Sequence, residues 1–258
     1  MRVPERLPTT TVSARQYRTR ASDRGRTDDA SGDDGPNCPG SLIVVSNRQP
    51  YRHEYEDESA SDSQPDPSSD ESSSLGTDGG LARSNDQRSI TVDEPTGGLT
   101  AGLDPVVQET DGTWIAWGDG DADFAVTDDC NCVAVPPDEE AYTLRRLDLS
   151  EEAIDAYYYG FSNRVLWPLC HGFPDLIENR PNDFEWYQRV NEQFAEAVSE
   201  HADENTVVWL QDYHLALAPR LIQGSIPDST TVAHFWHIPW PIPETFRHCP
   251  AGGHLLEG

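Results

Sequence analysis

The chain has 258 residues and a formal net charge of −28, from 46 acidic against 18 basic side chains, and every one of those 18 is arginine. A lysine-free surface this acidic repels nucleic acid and anionic membrane, which excludes both as expected partners. Self-repulsion of that size is tolerable where salt screens charge within a few ångströms, roughly 3 Å at 1 M, and acidic residues continue through the aromatic-rich part of the chain. The composition therefore points to the salt-rich cytoplasm of a halophile, rather than to an acidic tail on an ordinary domain.

Hydrophobic residues make up only 36% of the chain, low for full packing, so part of it is expected to stay unfolded. The five cysteines, at 38, 130, 132, 170 and 249, are odd in number and lack paired CxxC spacing, which reads as reduced thiols in a cytosolic protein with no metal site. No apolar run approaches the ~18 residues of a membrane span, and no apolar stretch follows the N-terminal arginines as in a signal peptide.

In chain order, residues 1–40 are polar, carry seven arginines and are expected to form a disordered tail. Residues 41–258 read as one Rossmann-like α/β domain with a parallel sheet and helices on both faces. Its first strand is Ser41 to Ser46, SLIVVS. Arg48 follows that strand's carboxyl end, where a planar guanidinium suits a phosphate; it also reads as a surface arginine paired with a neighbouring acid. Residues 53–89, rich in Ser, Asp and Glu, read as a disordered acidic insertion.

Order is expected to resume at Ile90. Thr96-Gly97-Gly98-Leu99 then opens a helical pattern through Leu103, Val106 and Val107. Paired glycines ahead of a helix let backbone approach an anion, and are also plain turn punctuation. Thr113 to Trp117, TWIAW, alternates as a strand; residues 118–140 are acidic and turn-rich; Tyr142 to Leu147 reads as a further strand. Ser150 is a candidate N-cap for a helix with Ile154, Tyr157, Tyr158 and Phe161 at helical spacing. Five aromatics fall within the eleven residues Tyr157 to Trp167. Such a cluster reads as core, or as the aromatic wall of a carbohydrate site. Phe184 to Val198 is an amphipathic helix expected to serve packing alone.

The segment from Thr206 to Trp240 organises the rest. Strands are expected at Val207 to Leu210 and Thr231 to Trp236, with a helix at Leu215 to Ile222 between them, a parallel crossover unit. Ligands of such sheets sit beyond the strands' carboxyl ends, where Asp212, His214 and His237 fall. His234 and His237 are three apart, which on a strand puts them on opposite faces, so no shared metal ion is expected. Pro241 to Phe246 stops the last strand and starts a helix, with Pro243 at its first position.

Seven collinear motifs together carry a resemblance over Ser41 to Arg247: VVSNR at 44–48, TGGL at 96–99, GTWIAW at 112–117, YYYGFSNRVLWP at 157–168, WYQRVNEQFA at 186–195, DYHL at 212–215 and HIPWP at 237–241. The chain resembles the amino-terminal half of trehalose-6-phosphate synthases, retaining glycosyltransferases of the two-domain GT-B type. The resemblance implies glucosyl transfer from a nucleotide-glucose, such as UDP-glucose, to glucose 6-phosphate, without metal or other cofactor, in trehalose and hence osmolyte biosynthesis. It implies that Arg48 holds the acceptor phosphate, with Tyr158, Trp167 and Trp117 around the same sugar. It further implies that Gly98 approaches the donor diphosphate, that Asp212 bonds the acceptor near the reacting hydroxyl, and that His237 contacts the donor glucose. Asp212 and His237 are its catalytic candidates.

Three departures bear on this reading. The family usually has His at the position of Gln211, a change expected to matter little if that side chain faces away from the cleft. The acidic insertion is longer than the family's loop there. The family's donor-gripping second domain is absent from these residues, which suggests a partner chain carrying it, or a non-catalytic sugar-phosphate-binding fragment. A glucosylglycerol-phosphate-type synthase is the alternative enzyme.

The composition generates its own test. Far-UV circular dichroism from 0.1 to 3 M KCl is expected to show ordered secondary structure growing with salt, and a spectrum constant over that range would argue against a halophilic protein.

Overall fold

The computed structural model describes residues 41–56, 88–94 and 97–257, together with the backbone of residues 11–13. Among the described residues nine strands form two sheets. The strands are β1 (Thr11–Ser13), β2 (Ser41–Val45), β3 (Arg52–Tyr55), β4 (Ser89–Asp93), β5 (Thr113–Trp117), β6 (Cys132–Val135), β7 (Tyr142–Leu147), β8 (Thr206–Gln211) and β9 (Thr231–Phe235). The main sheet has the order β6-β7-β5-β2-β8-β9 and is parallel throughout except for the antiparallel edge strand β6. A small antiparallel sheet, β1-β4-β3, stands beside it.

The central strands are apolar on both sides because both faces are covered. Alternation along β2 sends Ile43 and Val45 into one core and Leu42 and Val44 into the other, and β8 divides Val208 and Leu210 from Val207 and Trp209 in the same way. One face carries α1 (Gly98–Glu109) and the small sheet, with Val107, Ile90 and Tyr51 packed on Trp114 and Leu144. The other carries α2 (Glu151–Ala153), the wide helix Ile154–Leu166 that continues it, α3 (Trp167–Cys170), α4 (Asp183–His201) and α5 (Ala218–Ile222). The short helices α6 (Pro243–Phe246) and α7 (Gly252–Glu257) follow. No described helix is long and apolar enough to cross a membrane.

Several elements differ from the sequence reading. Expected disorder over residues 1–40 meets a strand at Thr11–Ser13, and the remainder of that tail lies outside the described residues. The acidic insertion is narrower than 53–89: Arg52–Tyr55 and Ser89–Asp93 pair as strands, with His53 wholly buried, and residues 57–87 lie outside the description. The turn-rich stretch 118–140 hides β6, whose four residues were too short a pattern against their acidic flanks. Ser150 caps its helix as expected, its Oγ accepting from the Ala153 amide at 3.2 Å. Beyond Ala153, however, the helix winds with π geometry for 13 residues. The crossover from β8 to β9 is a 3₁₀ turn, Tyr213–Leu215, followed by the short α5, rather than one helix. Helix α4 also does more than pack. Its Tyr187 hydroxyl donates to the Tyr213 carbonyl at 2.5 Å, and its Asn191 amide donates to the His214 carbonyl at 3.0 Å, fixing the turn after β8.

Between the sheets lies a buried ionic network. Arg146, on β7, has no exposed surface and meets Asp123 Oδ1 at 3.2 Å; it donates to the Asp123 carbonyl, the Tyr51 carbonyl and Gln49 Oε1, each at 2.9 Å. Asp123 Oδ2 accepts from Gln49 Nε2 at 2.6 Å and from the Gly120 amide at 2.7 Å, and its Oδ1 accepts from the His53 amide at 2.8 Å. Any side chain at 120 would drive a Cβ to 2.3 Å from the His53 carbonyl, so only glycine lets these segments meet. Burial holds the His53 imidazole below its ordinary pKa against the opposing pull of Asp123, with Arg146 adding to the lowering, and its Nδ1 accepts from Arg146 Nη2 at 2.7 Å.

Breaking such a pair strands a charge in the interior at about 3–5 kcal/mol. Arg146→Met is therefore expected to lower unfolding stability by about that amount in urea titrations at fixed salt. An unchanged midpoint would show that the pair is dispensable.

Candidate functional site

The parallel pairing of β5, β2, β8 and β9 brings their carboxyl ends to one edge of the sheet. Trp117, Arg48, Asp212 and His237 all sit at or just past those ends, so the topology gathers on one rim residues that lie far apart in sequence.

The Arg48 loop is built from below. The Ser46 hydroxyl accepts from buried Trp114 Nε1 at 2.8 Å and donates to the Arg48 carbonyl at 2.6 Å, while buried Asn47 accepts from the Tyr157 hydroxyl at 3.0 Å. With the flanking side chains tied down, Arg48 is left exposed. Its guanidinium has no ion-pair or hydrogen-bond partner among the described residues. In a chain with 46 acidic residues, that isolation is a property of the site rather than of the composition.

Beside Arg48 runs an aromatic stack. Trp117 meets Tyr158 at 5.9 Å, Tyr158 lies parallel to His214 at 5.5 Å, and His214 lies on Tyr213 at 4.1 Å. Helical winding and packing give the consecutive tyrosines three different fates. Tyr157 is wholly buried under the Arg48 loop, Tyr158 is half-buried on the stack, and Tyr159 is exposed. Wide helical turns of this kind are frequent at functional sites. His214 is only 8% exposed and neither ring nitrogen has a hydrogen-bond partner among the described residues. Burial, with the positive charge of Arg48 nearby, pushes its pKa down to about 3, so the ring is neutral at ordinary pH.

Asp212 is the strained residue of the rim. Its backbone, at φ 71° and ψ 170°, occupies a region populated almost only by glycine, at a cost of order 1–3 kcal/mol. Five hydrogen bonds hold it there. Its amide donates to the Phe235 carbonyl at 2.7 Å, and its carbonyl accepts from His234 Nε2 at 2.9 Å and from the Leu215 amide at 3.2 Å. Its Oδ1 accepts from the Tyr213 amide at 2.9 Å and the His237 amide at 3.3 Å. Oδ2 is left without a described partner.

His234 and His237 therefore hold Asp212 in different ways. β9 ends at Phe235, so strand alternation does not govern His237. Among the described residues no three His, Cys, Asp or Glu side chains are grouped to hold a metal ion. The four described cysteines are all unpaired. Gln211 corrects the sequence reading. It is 1% exposed and its Oε1 accepts from His237 Nε2 at 2.9 Å, so the substituted position touches the site instead of facing away.

Gly98 and Trp167 have no described hydrogen bond or ring contact with Arg48, Asp212 or His237. Gly98 begins α1 with Gly97 as N-cap, and a Cβ at 98 would meet nothing within 4 Å, so no described neighbour demands glycine there. Thr96 of that motif lies outside the described residues. Trp167 is 41% exposed and its ring partner is His171, at 4.1 Å, not Tyr158. Sequence reasoning missed Asn47, Gln211 and His234 as supports. Only the abrupt polar residues at strand ends hinted at them, and their partners are set by tertiary contact.

Comparison with known proteins places the chain by family and fold. The model of glycosyltransferase family 20 matches residues 72–258. The trehalose-6-phosphate synthase of Mycolicibacterium vanbaalenii is 39% identical over 165 residues, 63% of this chain and 32% of that protein, and the enzyme of Mycobacterium tuberculosis H37Rv is 36% identical over 173 residues, 66% and 34% of the two chains. The chain thus spans about a third of the length of these relatives. Among solved structures, the UDP-forming α,α-trehalose-phosphate synthase of Burkholderia vietnamiensis superposes with a TM-score of 0.57 at 25% identity, covering 84% of this chain and 37% of that one. The Burkholderia xenovorans enzyme in complex with glucose 6-phosphate gives 0.56 at 26% identity, covering 84% and 38%. A parallel-dominated sheet matching a GT-B glycosyltransferase domain and a family match over most of its residues together establish that this chain belongs to glycosyltransferase family 20, the trehalose-6-phosphate synthase family.

Proposed function

We propose that these residues form the acceptor-binding part of a retaining trehalose-6-phosphate synthase, which transfers glucose from a nucleotide-glucose to the anomeric hydroxyl of glucose 6-phosphate. The observation that carries this reading is Arg48: an exposed guanidinium with no described carboxylate partner, at the carboxyl edge of the sheet, in a chain of net charge −28. A phosphate is the anion whose paired oxygens fit that planar fork. The tilted pair of Trp117 and Tyr158 supplies the flat apolar surface that a hexose face packs on.

In this reading Asp212 uses its free Oδ2 to accept a hydrogen bond from the acceptor near the reacting hydroxyl, while its strained backbone fixes the direction of that oxygen. His237 borders the donor glucose, and the open backbone at Gly98 faces the donor diphosphate. Trp167 belongs to the outer edge of the acceptor pocket. The positive charge that stabilises the departing diphosphate comes from the part of the relatives' length that these residues do not span, either in one longer polypeptide or in a separate chain. The acidic, lysine-free surface suits a salt-rich cytoplasm, where the product would serve as a precursor of an osmolyte. Support for these substrates comes from the relatives themselves, one of them in complex with glucose 6-phosphate and another, from E. coli, bound with UDP-2-fluoro glucose.

Calorimetric titration with glucose 6-phosphate in high salt tests the acceptor reading. Arg48→Ala is expected to weaken binding at least tenfold, about 1.4 kcal/mol or more, with an unchanged circular dichroism spectrum. Equal affinity in the parent and the variant would remove Arg48 from the site, and preference for glycerol 3-phosphate would change the acceptor.

A further inference from the structure

We infer that Gln211 is a positioning residue that fixes His237 with its proton on Nε2 and its lone pair on Nδ1, so that this corner of the site accepts a hydroxyl proton and disfavours an anion. The inference follows from what each group is able to donate. The Trp209 carbonyl only accepts, and the nearer end of the buried Gln211 amide, 3.4 Å away, must therefore be its NH2. That turns Oε1 towards His237. An amide oxygen also only accepts, so the His237 nitrogen 2.9 Å from it, Nε2, must carry hydrogen.

In the neutral ring Nδ1 is then an acceptor, and it has no described partner. The main chain is held as well, since the His237 amide donates to Asp212 Oδ1 at 3.3 Å. Ring and backbone are thus both anchored to the end of β8, and His237 Nδ1 and Asp212 Oδ2 are both left as acceptors without a described partner. Acceptors of this kind suit the hydroxyls of a sugar. An ionised phosphate, which has no proton to offer either group, is repelled by both. The charged and titratable groups facing His237 are Asp212, through its carboxylate, and His234, whose pKa is lowered by burial against the opposing pull of Asp212, with His237 adding to the lowering.

The assignment of the hydroxyl to the donor glucose rests on the proposed function; the tautomer does not. Two-bond ¹H–¹⁵N correlation spectra of the chain, recorded above the histidine titration range and assigned with His237→Asn, read the tautomer directly. The parent is expected to show widely separated ring nitrogens with Nε2 protonated. Gln211→Met, which keeps the volume and removes the acceptor, is expected to draw the two signals together. An Nδ1-protonated ring in the parent, or a His237 pattern unaffected by Gln211→Met, would overturn the inference. Should the methionine variant fail to fold, Gln211→Glu retains an accepting oxygen. It is expected to keep the parent pattern and raise the apparent pKa of His237, and an unshifted titration would equally overturn the inference. Glucose 6-phosphate binding separates the two readings. If binding is insensitive to Arg48→Ala while the His237 pattern responds to Gln211→Met, the acceptor reading fails and the positioning role stands; the opposite combination overturns the positioning role alone.

Discussion

The buried pairing of Arg146 with Asp123 is the interaction on which the site's geometry rests. It joins the main sheet, through β7, to the segment that leaves β2 and runs through Gln49, Tyr51 and His53 into the small sheet. Arg48 sits immediately before Gln49, so the position of the free guanidinium depends on how firmly its neighbour is tied. Gln49 is held on both ends of its amide, by Arg146 on the oxygen and by Asp119 and Asp123 on the nitrogen. A buried charged arginine is thereby spent on orienting an exposed one.

The burial also matters for a chain with so much negative charge. Its peripheral ion pairs, such as Arg189 with Glu185 and Arg220 with Glu257, have more than half of each side chain exposed. Pairs of that kind contribute little, about 0–1 kcal/mol, and salt screens them. The Arg146 pair, with no exposed surface on either partner, is shielded from the same salt. The contacts that shape the site are thus the ones least sensitive to a saline medium.

On the other side of the rim, strain and polarity are localised at the end of β8. Asp212 adopts an unfavourable backbone because β9 and the turn after β8 leave it no other arrangement that satisfies its amide, carbonyl and Oδ1 together. His214 adds two buried nitrogens without partners among the described residues, at a cost of order 1–3 kcal/mol each. Folding alone gains nothing from either feature, and His214 lies close enough to Arg48 to feel its charge. Concentrating unfavourable local structure where a ligand is expected is how a preorganised site differs from a core.

The sequence by itself determined the parallel α/β class, the strands it placed at 41–46, 113–117, 142–147 and 207–210, each within a residue of its observed bounds, the amphipathic helix α4 and the strand-end positions of Arg48, Asp212 and His237. These rest on local patterns: continuous apolar runs, helical spacing, and polar residues at abrupt strand ends. Only the tertiary structure decided the partners. Gln211 looks like a neutral exchange until β9 brings His237 against it, His53 looks like the start of an acidic insertion until Asp123 and Arg146 enclose it, and Tyr157 and Tyr158 share a helical face until tertiary packing buries one under the Arg48 loop and sets the other on the aromatic stack. A hydrogen bond between residues 26 positions apart, or an ion pair between residues 23 apart, leaves no periodic trace in the chain, because it is chosen by sheet order and not by local spacing.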